Sequence, residues 1–287
     1  MIKNYLTLLK LRVVELLIVT TIPAMFLAAK GFPNLTTALA TVIGGTLAAG
    51  SANAFNMAIE SDRDRLMTRT ASRPTAQEVI SKKNSHIFAT VVGIISLAIF
   101  QIFTNTLATL LTLFAIVFYV IGYTIILKPN TSQNIVWGGI AGCMPVLIGW
   151  AAIENKISLT AILFFLVVFF WTPPHFWALA IKHKSDYAAA DFPMLPLVAK
   201  HKSLVFQLWF HSIGMSLVSL LLIFQAQLQT WCAVVTLILV VVWKKDLLNV
   251  SKELDMTMAA KLFQSSIVFL SIYSLILVIG ALQITNG

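Results

Sequence analysis

Charged side chains make up only 11% of this 287-residue chain, whereas an ordinary soluble domain carries about 25%. Hydrophobic residues account for 59% of the chain, and its mean hydropathy is +0.89. This shortage of charge excludes an ordinary soluble protein. The composition therefore predicts an integral membrane protein.

Cysteine is also scarce, since Cys143 and Cys232 are the only two. They are isolated in the sequence and predict neither a disulfide nor a metal pair. The chain also lacks paired Cys or His residues at zinc spacing, low-complexity linkers and an exact repeat of its acidic motif. A single transmembrane domain over residues 1–287 is the simplest prediction.

Nine apolar runs have roughly the length that a helix needs to cross a bilayer, about 17 to 25 residues. The sequence therefore predicts an all-α polytopic membrane protein with about nine transmembrane helices. The runs lie at about residues 12–30, 36–58, 86–103, 107–127, 135–152, 158–181, 204–225, 229–248 and 264–284.

All but two of the 20 Lys and Arg residues fall on one side of this arrangement, the exceptions being Lys30 and Lys156. Because basic residues stay in the cytoplasm, the N-terminus is predicted to be cytoplasmic and the C-terminus external. The net charge of +9 then reflects topology and anionic lipid contact, and no nucleic-acid partner is expected. We expect a bacterial cytoplasmic (inner) membrane protein whose loops at about residues 59–85 and 182–203 cover an active site facing the cytoplasm.

The stretch from residue 53 to 74 joins the second apolar run to three carboxylates and four arginines, in the order N-A-F-N-M-A-I-E-S-D-R-D-R-L-M-T-R-T-A-S-R-P. In a helix, Asn56, Glu60 and Asp64 share one face because they are four residues apart. Asp62 points elsewhere unless the helix ends there, so it is a weaker candidate. Oxygen ligands of this kind are typical of Mg²⁺, which bridges one or two carboxylates to a phosphate.

The arginines at positions 63, 65, 69 and 73 are predicted to hold the remaining phosphate charge. The best candidates for diphosphate contact are Arg63, Arg69 and Arg73. The alternative is a solvated loop whose charges only fix orientation. The magnesium diphosphate site is favoured because carboxylates close to a hydrocarbon core are costly and seldom idle.

Later apolar runs bring further polar residues to the same predicted membrane face. Tyr123 and Lys128 end the fourth run, and Lys128 is a candidate diphosphate contact, although a lone lysine there also fits a topological role. His175 lies in W-T-P-P-H-F-W beside two prolines that predict a kink. It is a candidate substrate contact, with a buried, hydrogen-bonded histidine as the alternative; for His211 that alternative is preferred.

The loop after the sixth run contains Lys182, Asp186 and Asp191. A spacing of four allows a local ion pair between Lys182 and Asp186. The alternative is that Asp186 faces the first acidic stretch and holds a second Mg²⁺, with Lys182 on the diphosphate. Asp191 does not share a helical face with Asp186 and is a weak candidate.

These residues resemble the UbiA superfamily of membrane prenyltransferases, and within it the branch that farnesylates protohaem IX. The superfamily motif N-x-x-x-D-x-x-x-D is matched by Asn56, Glu60 and Asp64, with Glu replacing the first Asp. The branch motif D-x-x-x-x-R-T-x-x-R-P is matched from Asp64 to Pro74. Asp191 departs from the branch, which commonly has Gly there. Three segments look specifically like this branch: L-K-P-N-T-S-Q-N-I-V-W-G-G-I-A-G, W-T-P-P-H-F-W-A-L-A-I-K and D-Y-A-A-A-D-F-P-M-L-P.

The resemblance implies nine helices around a central cavity. It also implies transfer of the farnesyl group of farnesyl diphosphate to a vinyl group of haem B, with addition of water. Haem B is then a substrate, and Mg²⁺ acts as its diphosphate complex. His175 is the candidate for positioning the porphyrin, and the implied catalytic magnesium ligands are Asn56, Glu60, Asp64 and Asp186.

The resemblance also implies that the product, haem O, feeds haem-copper terminal oxidases directly or through haem A. Haem A synthase or terminal oxidase assembly is therefore an expected partner. Other interpretations are a prenyltransferase acting on an aromatic or quinone precursor, an ion or solute transporter, and a haem-binding assembly factor without catalysis. The clustering of acids at one membrane face favours an enzyme over a transporter.

Overall fold

The structure, a computed structural model, describes residues 2–284 apart from the side chains at positions 2, 12, 13 and 16. Helices joined mostly by short loops form this part of the chain, which contains no strand. In chain order they are α1 (Ile2–Leu8), α2 (Leu11–Ala29), α3 (Leu35–Ile59), α4 (Ser61–Asp64), α5 (Lys82–Phe103), α6 (Thr106–Val117), a π-helix (Phe118–Leu127), α7 (Lys128–Asn130), α8 (Asn134–Glu154), α9 (Leu159–Lys182), α10 (Lys184–Ala189), α11 (Leu195–Val198), α12 (His201–Gln225), α13 (Thr230–Lys252) and α14 (Met256–Ile284).

Each predicted span coincides with a long helical segment between residues 2 and 284. Within these residues, seven segments are long and apolar enough to cross a membrane: α3, α5, Thr106–Asn130, α8, α9, α12 and α14. In α2 the apolar part is Leu17–Ala29, and α13 carries Lys244, Lys245 and Asp246 in its second half. The prediction of an all-helical membrane protein is confirmed, whereas nine crossings and the orientation of the termini stay predictions.

Several helices extend beyond the apolar runs that predict them. α14 begins at Met256 rather than at residue 264, and α13 continues to Lys252, beyond the apolar run that ends at about residue 248. Hydropathy marks only the part of a helix that suits lipid, whereas helical hydrogen bonding continues into polar sequence.

The second half of the fourth long segment is a π-helix, where the apolar run predicts a regular α-helix. Thr124 Oγ1 donates to the carbonyl of Tyr119, five residues earlier, at 2.9 Å. The wider turn changes the direction of the residues that follow it, and π turns frequently occur at functional sites. Tyr119, Tyr123 and Lys128 line one cavity as a result.

Small residues bring α3 close to α5. Ser51 Oγ donates to the carbonyl of Ala89 at 2.7 Å, and Ser96 Oγ donates to that of Gly44 at 2.7 Å. A side chain at Gly44 would meet the Phe100 ring at 2.9 Å, so only glycine allows this approach. The close packing fixes α3, whose C-terminal end carries the acidic stretch.

The chain after α4 folds back over the end of α3. Thr75 Oγ1 donates to the carbonyl of Met57 at 2.9 Å, and Thr70 Oγ1 donates to that of Asp64 at 3.0 Å. Both threonine side chains are buried. These bonds return the arginines of the loop to the acidic end of α3.

Candidate active site

A cavity of about 370 Å³ lies between the helices, within the size range of about 300 to 1,000 Å³ that small-molecule sites have. Its wall is mainly apolar or small and comes from α2, α3, α6, α8 and α9, with the π-helix closing one side. Charged and amide groups are concentrated in one part of the lining: Lys10, Asn53, Asn56, Glu60, Asp64, Arg69, Arg73 and Lys128. A cavity of this kind suits an elongated apolar ligand with an anionic end.

Asn56 is buried and held by two partners from distant parts of the chain. Lys10 Nζ donates to its Oδ1 at 2.9 Å, and its Nδ2 donates to Thr124 Oγ1 at 3.2 Å. Burial, followed by repulsion from Arg73, lowers the pKa of Lys10 to about 7. The sequence indicates only that Lys10 helps to set the orientation of the protein in the membrane. No sequence pattern shows that the turn before α2 lies beside α3.

Glu60 is 5% exposed and pairs with Lys128, whose Nζ lies 2.5 and 2.6 Å from its two carboxylate oxygens. Burial acts to raise the pKa of Glu60, but the opposing field and hydrogen bond of Lys128 leave it below the ordinary value. Lys128 also lies 4.5 Å from the ring centre of Phe192. The structure therefore brings Lys128 to the acidic stretch, where the sequence leaves a topological role open.

Asp64 is wholly buried and accepts two hydrogen bonds from Arg73 Nη1, at 2.8 and 2.7 Å. Arg69 also lines the cavity, with its guanidinium 6.0 Å from the ring centre of Tyr187. Asn56, Glu60 and Asp64 thus lie along one cavity wall, as their spacing predicts. The helix itself ends at Ile59, and the chain continues into the short α4.

Asp186 connects the loop after α4 to the segment after α9 instead of pairing with Lys182. Its Oδ1 accepts from the backbone N–H of Thr68 at 3.1 Å, and its Oδ2 accepts from that of Arg69 at 3.2 Å. Burial raises the pKa of Asp186, but these backbone donors bring it below the ordinary value. Asp186 does not line the cavity, and the exposed Lys182 forms no ion pair with it.

Three other predicted candidates lie outside the cavity lining. Asp62 is exposed and pairs with Lys82 at 2.7 Å, so it points away from its acidic neighbours. Arg63 packs over the ring of Phe192, 4.8 Å from its centre. Asp191 is exposed and has a φ of 51°, a left-handed conformation that glycine adopts more readily than aspartate.

His175 and His211 have different environments. His175 lines the cavity and is 2% exposed, and its Nδ1 lies 2.7 Å from Ser266 Oγ. His211 Nδ1 lies 2.9 Å from the carbonyl of Gln207 within its own helix, and the ring does not line the cavity. His211 is therefore a buried, hydrogen-bonded histidine, as predicted.

The polar end of the cavity has oxygen donors that suit a magnesium ion. Within the described residues, no group of three or more His, Cys, Asp or Glu side chains is assembled that could hold a metal by itself. Instead, Glu60 and Asp64 each provide a carboxylate, and Asn56, which is bonded to Lys10 and Thr124, provides an amide oxygen. These few oxygen donors lie beside cations. This set fits Mg²⁺, which keeps several waters and is usually bound by one or two carboxylates together with a phosphate.

The helical fold and the cavity define a membrane-embedded protein with a site for an anionic, largely apolar ligand. A model of the UbiA prenyltransferase family matches residues 17–281. A protoheme IX farnesyltransferase of Renibacterium salmoninarum is 50% identical over 221 residues, which cover 77% of this chain and 70% of that protein. The chain belongs to the UbiA prenyltransferase family and is a membrane prenyltransferase.

Solved structures share the fold at low identity. A digeranylgeranylglyceryl phosphate synthase has a TM-score of 0.79 at 17% identity, over 98% of this chain and 99% of that one. A UbiA homologue from Archaeoglobus fulgidus, bound to GPP and Mg²⁺, has a TM-score of 0.67 at 13% identity, over 99% of this chain and 100% of that one. At these identities the likeness concerns the fold alone.

Proposed function

We propose that this chain transfers the farnesyl group of farnesyl diphosphate to a vinyl group of haem B, with addition of water, to form haem O. The observation that carries the proposal is the apolar cavity whose acidic and cationic groups are gathered in one part of its wall. The relative from Renibacterium salmoninarum supports protohaem IX as the acceptor. Haem B is thus a substrate and not a resident cofactor.

The chain's cations position the diphosphate. Arg69, Arg73 and Lys128 line the cavity, and Lys128 and Arg73 are already paired with Glu60 and Asp64. Each of these cations can share its charge between a carboxylate and a phosphate oxygen. The apolar wall then receives the isoprenoid chain and excludes bulk water from the allylic carbon.

Asn56, Glu60 and Asp64 are the residues that would hold Mg²⁺ in its complex with diphosphate. The A. fulgidus homologue, bound to GPP and Mg²⁺, supports the use of Mg²⁺ together with a prenyl diphosphate. The bound ion supplies neutralisation of the charge that develops on the leaving diphosphate. Asp186 contributes by fixing the backbone at Thr68 and Arg69, and so places the loop that carries the arginines.

The reaction balances without a redox partner. The allylic C–O bond breaks and leaves its electron pair on diphosphate, and the vinyl π electrons form the new C–C bond. Water adds to the cation left on the vinyl carbon and loses one proton, which gives the hydroxyl group. Within the cavity wall, His175 is placed to contact the porphyrin.

The proposal includes the membrane arrangement. The chain crosses a bacterial cytoplasmic (inner) membrane nine times, with a cytoplasmic N-terminus and an external C-terminus. The loops at about residues 59–85 and 182–203 cover a cytoplasmic active site, and residues 1–287 act as one domain. The distribution of Lys and Arg supports this orientation. Haem A synthase or an assembling terminal oxidase receives the product.

The test uses the purified chain in lipid with haem B, farnesyl diphosphate and Mg²⁺, and mass spectrometry of the porphyrin. A magnesium-dependent gain of farnesyl plus water is expected, and it is lost when EDTA is added. Unmodified haem, together with prenylation of an aromatic or quinone precursor by the same preparation, would overturn the acceptor and keep the diphosphate site.

A further inference from the structure

The ring of His175 is enclosed on both faces by aromatic side chains. Trp171 stacks on it with ring centres 4.2 Å apart and planes 21° apart, and Phe263 stacks at 4.5 Å and 27°. Phe176 meets the ring edge-on at 5.0 Å. The ring therefore cannot turn over without displacing its neighbours, and its two nitrogens have fixed directions.

Ser266 determines which nitrogen of His175 carries the proton. Its Oγ donates to the carbonyl of Phe263 at 2.6 Å, and the same Oγ lies 2.7 Å from His175 Nδ1. A serine hydroxyl has one proton, so Ser266 can only accept from the histidine. Nδ1 is thus the protonated nitrogen, and Nε2 of the neutral ring keeps its lone pair.

Nε2 is the ring nitrogen of His175 that remains available to a ligand. Among the residues whose side chains the structure describes, Nε2 has no hydrogen-bond partner. The ring nitrogens of Trp150, Trp177 and Trp243 are fully enclosed and also lack a partner. Nε2 of His175 does not belong to that group, so it is not fully enclosed. Since His175 also lines the cavity, its Nε2 is a candidate contact for a molecule bound there. An accessible and unpaired imidazole nitrogen is free to bind a ligand through its lone pair.

We propose that His175 Nε2 is an axial ligand of the iron of the haem substrate, and that Ser266 is the positioning residue that holds it in the required tautomer. A neutral imidazole nitrogen is a common ligand of haem iron, and such ligands usually donate their other N–H to an oxygen of the protein. Trp171 Nε1 donates to the carbonyl of Ser266 at 2.8 Å, so the stacking ring and the orienting residue are tied together. The inference rests on the proposed function, because it takes haem as the acceptor.

The test is haem coordination in the purified full-length protein in lipid nanodiscs, measured by absorption and electron paramagnetic resonance without farnesyl diphosphate. The wild type is expected to show an imidazole-ligated ferric haem. His175→Gly should lose that signature and regain it with added imidazole. Ser266→Ala should weaken haem affinity about tenfold or more, in line with the effect of removing groups that orient metal ligands. Ser266→Thr, which keeps the hydroxyl, should restore it.

Ser265→Ala is the matched control, since Ser265 Oγ donates only to the carbonyl of Leu262 in its own helix, at 3.2 Å. It should bind haem like the wild type. A His175→Gly protein that binds haem with an unchanged spectrum would overturn the inference, as would Ser266→Ala with unchanged affinity.

Failure of the inference is separable from failure of the proposed function. Farnesylation of haem by the wild type, with a spectrum insensitive to His175→Gly, rejects the iron ligand and leaves the function in place. A wild type that neither binds haem nor modifies it rejects both.

Discussion

Arg73 Nη1 lies 2.8 and 2.7 Å from the two carboxylate oxygens of Asp64, which is 0% exposed. The two residues are nine positions apart and meet only because the loop folds back onto the end of α3. A buried carboxylate is stable only when it is paired, so each partner depends on the other. The pair lies in the cavity wall. The same two residues therefore hold the loop in place and contribute charged groups to the site.

Asp64→Asn is expected to lower farnesyl transfer by at least about 100-fold, because it removes a carboxylate that would hold the Mg²⁺ of the diphosphate complex. Haem binding should remain, as Asp64 lies at the diphosphate end of the cavity. The measurement is kcat with haem affinity determined on the same preparation. Asp62→Asn is the control, since Asp62 is exposed and pairs with Lys82, and it should keep nearly full activity. Retained activity in Asp64→Asn would favour a non-catalytic haem-binding protein.

Arg73→Met should destabilise the protein by about 3 to 5 kcal/mol, because it leaves the buried Asp64 without its partner. The double variant Arg73→Met/Asp64→Asn should recover much of that stability and none of the activity. Denaturant unfolding in detergent measures the first effect, and the farnesylation assay measures the second. Lys82→Met is the control, because Lys82 and Asp62 form an exposed pair worth at most about 1 kcal/mol. Equal destabilisation by both single variants would contradict the role of burial.

Asp186→Ala is expected to raise KM for farnesyl diphosphate about tenfold, as two charge-assisted bonds to the loop backbone are lost. The dependence of the rate on Mg²⁺ concentration should stay that of the wild type, since the carboxylate acts through the backbone at Thr68 and Arg69. A titration of the rate with Mg²⁺ at saturating farnesyl diphosphate decides this. A large increase in the Mg²⁺ requirement would instead make Asp186 a metal ligand.

Lys10→Met should raise KM for farnesyl diphosphate, because Lys10 lines the cavity and donates to Asn56. An effect of about tenfold corresponds to the loss of one hydrogen bond to a charged group, about 1.5 kcal/mol. Steady-state kinetics measure it. Lys30→Met is the control, since Lys30 is exposed at the opposite end of α2. Identical kinetics for both variants would show that Lys10 does not contact the substrate and contributes only to membrane orientation.

Gly45→Leu should shift donor preference from farnesyl toward geranyl diphosphate. A side chain at Gly45 meets no atom within 4 Å, and the residue lines the cavity about 16 Å along the helix from Asn56. Leucine would therefore fill space that the last isoprene unit occupies, and a change of about tenfold in the ratio of kcat/KM values is expected. Ile43→Leu, on an exposed position of the same helix, controls for general effects. An unchanged ratio would place the end of the farnesyl chain elsewhere.

Apolar run length was sufficient to predict the long helices, because the thickness of the bilayer fixes the length of a crossing. The spacing of Asn56, Glu60 and Asp64 placed them correctly on one cavity wall, and the motifs around them identified the family. The position of Asp62 away from that wall was likewise predictable, because helical periodicity is local.

The residues that were missed or misplaced depend on contacts between distant segments. Lys10 lines the cavity from the turn before α2, and Ser266 of α14 contacts the cavity-lining His175, yet neither has a signal in its own neighbourhood. Asp186 has the spacing of an ion pair with Lys182, yet backbone N–H groups of the first loop compete successfully for its oxygens. The spacing of residues along a sequence cannot show that donors from a distant segment compete for the same oxygens.

The sequence by itself determined that this protein is helical, lies in a membrane and carries a prenyltransferase motif, because hydropathy and helical spacing act over short stretches of chain. Only the tertiary structure decided which cation pairs with which carboxylate, where the π turn rotates Tyr123 and Lys128, and which nitrogen of His175 bonds to Ser266. Those outcomes depend on how helices pack at close range, where a single hydrogen bond from another segment fixes the direction of a side chain.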